Sequence, residues 1–156
     1  MKRFSWHALD SRDLAKAIGV GIVVSILTAA FMVTTLRSGV SPLPKSLGLA
    51  FAEVIFGRPL PLFVGLLFHT AWVTLFSVVY VALFYGALTF GRALALAAVL
   101  WISALVFFFP IVGWGFFGLN VSPRLIIAAA IPHLLFAIFL WGLCRWAFAD
   151  SKVAYS

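Results

Sequence analysis

Long apolar stretches, rather than any alternation of apolar and polar positions, organise this chain. Four runs stand out, at 17–36, 61–85, 93–112 and 125–148, the last uncharged as far as Cys144. At 1.5 Å per helical residue each is long enough to cross a hydrocarbon core of about 30 Å. The pattern predicts an all-α, polytopic membrane protein, a bundle of four transmembrane helices forming a single membrane domain. A shorter apolar run, 47–57, carries Glu53 and is too short to span. Ser46 can cap it and Gly57 can end it, so a short interfacial or re-entrant helix is expected between helices 1 and 2. The tight connection at 86–92 makes helices 2 and 3 a hairpin. The Gly-rich stretch 113–124 is a turn leading into helix 4.

Composition narrows the picture further. Hydrophobic residues make up 65% of the 156 positions and charged residues 10%. Soluble domains are about half apolar and about one quarter charged. A soluble enzyme, a secreted disulfide scaffold, a disordered tail and a collagen-like rod are therefore excluded. The first run is about 20 residues long, beyond the roughly 7–15 of a signal-peptide core, and no small-residue cleavage site follows it. It reads as a membrane helix.

Eleven Lys and Arg against four acids give a net charge of +7. Lys2, Arg3, Arg12, Lys16, Arg92, Arg145 and Lys152 lie in the terminal arms, the 86–92 connection or a helix end; Arg37, Lys45, Arg58 and Arg124 lie in the other two connections. Seven against four predicts both termini in the cytoplasm, in a bacterial inner membrane. No nucleic-acid motif accompanies these charges, which read as topology determinants and lipid headgroup contacts. Cys144 is the only cysteine, so neither an intramolecular disulfide nor a thiol metal cluster can form. His7 lies in the polar arm near Asp10 and Asp13 and reads as solvated.

Two ionisable residues lie well inside the apolar runs, His69 and His133. Measured from Pro61 and Leu125, each sits eight residues in, about 12 Å along its helix. Helices 2 and 4 run in the same direction, so the imidazoles share a depth. Small residues one turn away, Gly65 beside the first and Ala129 and Ala137 beside the second, leave room for a partner helix or a flat ligand. Four readings stay open. The pair can be helix-to-helix glue, bonded to each other, to Thr70, Thr74 or Ser103, or to a backbone carbonyl. It can be the axial pair of a b-type haem, a quinone or proton site, or part of a transition-metal site, for which two ligands are too few. Pro110 and Pro132 interrupt helices 3 and 4 at depth, where freed carbonyls can build a polar pocket.

Ala17, Gly21, Ser25 and Ala29 form a stripe of small residues at four-residue spacing on helix 1. Such stripes mark close helix contacts, within the bundle, to a second copy or to a partner subunit. Glu53 is expected to pair with Arg58 or Lys45, to reach a histidine, or to sit among headgroups. No two carboxylates share a helix face, and neither a Ser-His-Asp set, a phosphate loop nor a His-Glu-x-x-His motif is present. Helices 2 and 4 are loosely alike, each beginning after a proline and ending in aromatics, as in a repeat of two hairpins, one-two and three-four.

Phe68-His69, the run Phe76-Ser77-Val78-Val79-Tyr80, Phe109-Pro110-Ile111-Val112-Gly113 and Pro132-His133-Leu134-Leu135-Phe136-Ala137 resemble the bacterial four-helix inner-membrane proteins of the YagU type. The resemblance spans about residues 61–148 and implies an inner-membrane location and involvement in stress or acid tolerance, with no established chemistry. The acidic residues that often accompany these helices in that family are missing here. The sequence favours a non-enzymatic accessory or structural subunit of a larger membrane complex, or a self-associating one. A haem- or quinone-binding redox module built on His69 and His133 is the first alternative, and a small transporter or channel the second.

Overall fold

The computed structural model describes residues 9–149. Within it, all regular structure is helical, and four helices are long and apolar enough to cross a membrane: α1 (Ser11–Arg37), α3 (Leu62–Phe84), α4 (Phe90–Ile111) and α5 (Leu125–Ala147). A short apolar helix, α2 (Leu47–Phe56), lies between the first two. His7, Lys2, Arg3 and Lys152 lie outside the described residues.

The boundaries follow local chemistry. Asp10 caps α1, its carboxylate accepting the Asp13 N–H at 2.7 Å, so the helix starts six residues before the apolar run and reaches 27 residues. That is about 40 Å, enough to carry its polar first turns through a headgroup layer. Gly57, with φ of 64°, ends α2 in the left-handed conformation that a side chain resists. Ser46 stands at the N-cap position of α2 without capping; its hydroxyl is buried and makes no hydrogen bond.

Packing departs from the hairpin read in the sequence. The 85–89 turn reverses the chain, yet α3 and α4 barely touch; α1 packs along α3, α4 along α5, and α1 against α5. Two features draw α1 and α3 together. A Cβ at Gly21 would lie 2.7 Å from the Thr74 Cα, so only glycine permits the approach, and Ser25 Oγ lies 3.3 Å from Thr70 Oγ1. Helix α2 lies on the N-terminal half of α3 through a second glycine contact: a Cβ on Gly48 would come within 2.7 Å of the Gly65 carbonyl oxygen, and one on Gly65 within 2.7 Å of the Leu49 Cα.

The core is accordingly split. One cluster, with Val24, Tyr80, Ala97, Ala137, Leu140 and Phe148, fills the end of the bundle that holds the start of α1 and the end of α5. A smaller one, with Ala50, Leu105, Phe109, Trp114, Leu125 and Ala129, fills the opposite end under α2. At the first end Tyr80 donates to the Thr89 carbonyl at 3.0 Å and Tyr85 donates to the Asp13 carboxylate, fastening α1 to the α3–α4 turn. Lys16, Arg92 and Arg145 lie over the rings of Phe148, Phe84 and Trp141, the usual arrangement of cations and aromatics near a headgroup layer.

Candidate functional site

Because α3 and α4 diverge, a cavity of about 190 Å³ remains in the middle of the bundle, between the two core clusters. Its walls come from α1, α3, α4 and α5, and α2 covers one side through Gly48 and Phe51. Aromatic rings bridge the gap that the α3 and α4 backbones leave. Phe51 meets Phe108 edge-on at 5.1 Å, Phe108 meets Trp72 at 5.4 Å, and Trp72 meets Phe76 at 5.0 Å. Phe108 ends a π-helical turn, Ala104–Phe108, in which the Phe109 N–H reaches back to the Ala104 carbonyl. Pro110 follows directly and has no N–H to offer the turn before it, so the wider turn sits where the ladder is already broken. Pro132 lies inside α5 without ending it.

His69 and His133 both line this cavity. They do not hydrogen-bond to each other, nor to Thr70, Thr74 or Ser103. Thr28 is the side-chain partner of His69, with Oγ1 and Nε2 3.0 Å apart, and the Ser25 carbonyl is its backbone partner. The Thr28 hydroxyl lies 2.8 Å from the Val24 carbonyl and 3.2 Å from the Ser25 carbonyl; with its single proton on either one, its oxygen accepts from the ring and His69 carries its proton on Nε2. The Nδ1 of His133 lies 2.7 Å from the Ala129 carbonyl oxygen. A carbonyl only accepts, so His133 carries its proton on Nδ1. In the neutral rings, each histidine keeps one lone pair, on Nδ1 of His69 and Nε2 of His133, with no hydrogen-bonding partner among the described residues. Among those residues, no group of three or more His, Cys, Asp or Glu comes together to hold a metal ion.

No family model, curated protein or solved structure matches this chain. Its function is therefore argued from the site.

The other residues singled out in the sequence lie elsewhere. Ala17, Gly21 and Ser25 are buried and Ala29 is half-buried; Gly21 and Ser25 face α3. Glu53 is drawn to Lys45 rather than Arg58: Oε2 lies 2.7 Å from the Lys45 ammonium, and Oε1 accepts the Leu60 N–H at 3.2 Å. That grip spans the segments before and after α2, while Arg58, just past the Gly57 cap, is exposed. The bond to Lys45, reinforced by the Leu60 amide, holds the Glu53 carboxyl below its ordinary value.

Sequence reasoning passed over Thr28, Trp72 and the π turn. Thr28 carried a signal, since it lies three residues beyond Ser25 on the face that already bears Gly21. Trp72 lies three residues after His69, on the same side of α3, but in a chain with six Trp and 17 Phe one more ring stands out little.

Proposed function

We propose that this chain is an integral membrane protein that binds the ring of a lipophilic, oxygen-bearing ligand, a quinone-type head group, in the cavity between α3 and α4. One observation carries the reading: the two histidines of the apolar runs line a single cavity, each pinned by one nitrogen and free at the other. A structural subunit needs no such cavity, and polar groups in hydrocarbon that lack partners are costly unless a ligand answers them.

Size selects among ligands. The cavity's 190 Å³ is close to the roughly 150 Å³ that accommodates a benzene ring in an apolar protein interior. A four-ring porphyrin needs far more room, so the volume favours a single ring over haem. The edge-to-face row Phe51, Phe108, Trp72 and Phe76 supplies apolar walls of the kind flat ligands pack against. In this reading the seven-to-four balance of Lys and Arg sets both termini on the cytoplasmic side of a bacterial inner membrane, and the module can serve alone or within a larger complex.

The test uses the full chain in detergent micelles and a decyl-substituted benzoquinone. Trp72 lines the cavity, so a bound quinone quenches its fluorescence. Saturable quenching that disappears in Trp72→Phe, and weakens at least tenfold in the cavity-filling Ala104→Leu, is expected. Quenching that rises linearly without saturation, and equally in Ala104→Leu, overturns the reading. A Soret band after expression with haem supply, lost in both His69→Ala and His133→Ala, overturns it in favour of haem.

A further inference from the structure

We infer that the cavity selects the reduced, hydroquinone form of its ligand over the quinone, because four of its five polar side chains offer the bound ring lone pairs rather than protons. This rests on the head-group reading above and deepens it.

Five side chains with a nitrogen or oxygen hydrogen-bonding group line the cavity: Thr28, His69, Trp72, Ser103 and His133. Four of them have spent their protons inward. Thr28 donates to the Val24 carbonyl at 2.8 Å. Ser103 donates to the Val99 carbonyl at 2.8 Å, one turn back along α4. His69 donates through Nε2 to Thr28, and His133 through Nδ1 to the Ala129 carbonyl. What these four leave for a ligand is acceptor capacity: Nδ1 of His69, Nε2 of His133 and the remaining lone pairs of Ser103. Trp72 alone of the five has an N–H with no partner among the described residues, and it stands at the rim, 45% exposed.

A quinone carries two carbonyl oxygens, which only accept. Facing this wall it would set lone pair against lone pair in a medium without water, leaving both sides unsatisfied. A hydroquinone carries two O–H donors and can satisfy the imidazole nitrogens that the protein leaves bare. A neutral imidazole could reverse its tautomer to greet a carbonyl, but at His69 the reversal takes the Thr28 proton away from the Val24 carbonyl, and at His133 it costs the ring the bond that fixes it. For His133 the loss is severe, because Nδ1 without its proton would face the Ala129 oxygen at 2.7 Å. The arrangement thus acts as a filter on the ligand's hydrogen-bonding polarity, in the way a site built to pair one group rejects its mismatched analogue.

The test compares three probes against the full chain in micelles under anaerobic conditions: a decyl-substituted benzoquinone, its hydroquinone, and the dimethyl ether of that hydroquinone, which keeps the shape and lacks the donors. Equilibrium dialysis is expected to show the hydroquinone bound at least tenfold more tightly than the quinone, with the ether no tighter than the quinone. By linkage the midpoint potential of the bound couple then rises by about 30 mV per tenfold preference. Thr28→Val, nearly isosteric, removes the hydroxyl from His69 Nε2 and leaves the ring the Ser25 carbonyl alone. It should cut the preference severalfold while the quinone still binds. The double variant His69→Phe/His133→Phe should abolish the preference outright.

Equal binding of quinone and hydroquinone, or tighter quinone, overturns this inference and leaves the head-group site standing. A preference that survives unchanged in Thr28→Val and in the double variant also overturns it, since the selection would then lie elsewhere. Binding of none of the three probes overturns both proposals.

Discussion

The two sides of α3 are built on opposite rules. Toward α1 the backbones approach until only glycine fits, at Gly21 against Thr74. Toward α4, its neighbour in sequence, the backbones stay apart and rings fill the gap. Membrane helices have no hydrophobic force drawing them together, because lipid tails are as apolar as leucine. Close approach must be arranged by small residues, and where α3 presents Phe68, Trp72 and Phe76 instead, the helices part. The cavity is thus the consequence of placing small residues on one face of α3's surroundings and aromatic ones on the other.

The α1–α3 contact is most sensitive at Gly21. Gly21→Leu puts a side chain against the backbone of Thr74, and overpacking of this kind costs about 1–3 kcal/mol and often more where backbone must move. The expected outcome is a large fall in thermal stability in detergent, with aggregation on size exclusion. Gly19→Leu, whose Cβ would meet nothing within 4 Å, should be nearly neutral. Equal effects of the two would show that the α1–α3 approach matters little to the fold.

A second pair of variants compares closed and open regions through one substitution on one helix. Ala97 is 2% exposed within the closed core, whereas Ala104 is 3% exposed and lines the cavity. Ala97→Leu should destabilise by about 1–3 kcal/mol. Ala104→Leu fills space and should be neutral or stabilising by up to about 1 kcal/mol. Denaturation midpoints in matched micelles check the sign; destabilisation of both by the same amount would mean that the cavity wall is as tightly packed as the core.

The four spans and α2 were legible because hydrocarbon thickness imposes a length on apolar runs that little else imitates. That His69 and His133 line one cavity was foreshadowed by their equal spacing from Pro61 and Leu125, since helical rise is fixed. What stayed hidden depends on which faces meet. The hairpin of helices 2 and 3 was read from the short turn at 86–92, but a turn fixes only the ends of two helices and leaves their angle to side-chain size. Thr28 as the partner of His69 needs the rotational setting of α1 against α3, which Gly21 determines and which a single sequence does not number. Glu53 had two cations within reach by sequence, and the Gly57 cap decided for Lys45 by turning the chain before Arg58.

Among the described residues one ion pair, Lys45–Glu53, ties the end of the bundle under α2, and pH should loosen it in a known direction. Glu53 holds Lys45 and the Leu60 amide, and its carboxyl is lowered from an ordinary value of 4.5. A depressed folded value means that the contribution is complete above the unfolded value and is lost as pH falls through the folded one. Amide exchange in α2, corrected for its intrinsic pH dependence, should therefore accelerate severalfold as the solution is acidified below the ordinary carboxyl range. In Glu53→Ala it should be fast already and flat across that range. An α2 whose exchange ignores both would be held by Gly48 and Gly65 alone.

The end with the start of α1 and the α3–α4 turn has the opposite sensitivity, and the smallest effect. Tyr85 donates to the Asp13 carboxylate, and that bond, with some burial and the charges of Asp13 and Asp10, raises the phenol from its ordinary value of 10 to about 12. A raised folded value means that the contribution is complete below pH 10 and is lost as pH climbs through about 12. Phenolate absorbance of the folded protein, taken as the difference from Tyr85→Phe, should titrate near 12, and in Asp13→Asn it should fall back toward 10. Acid would then loosen α2 at one end of the bundle while base releases the start of α1 from the α3–α4 turn at the other. A Tyr85 that titrates at 10 in the wild type would remove the tie, leaving Tyr80 and its bond to the Thr89 carbonyl as the hydrogen bond that keeps the turn against the core.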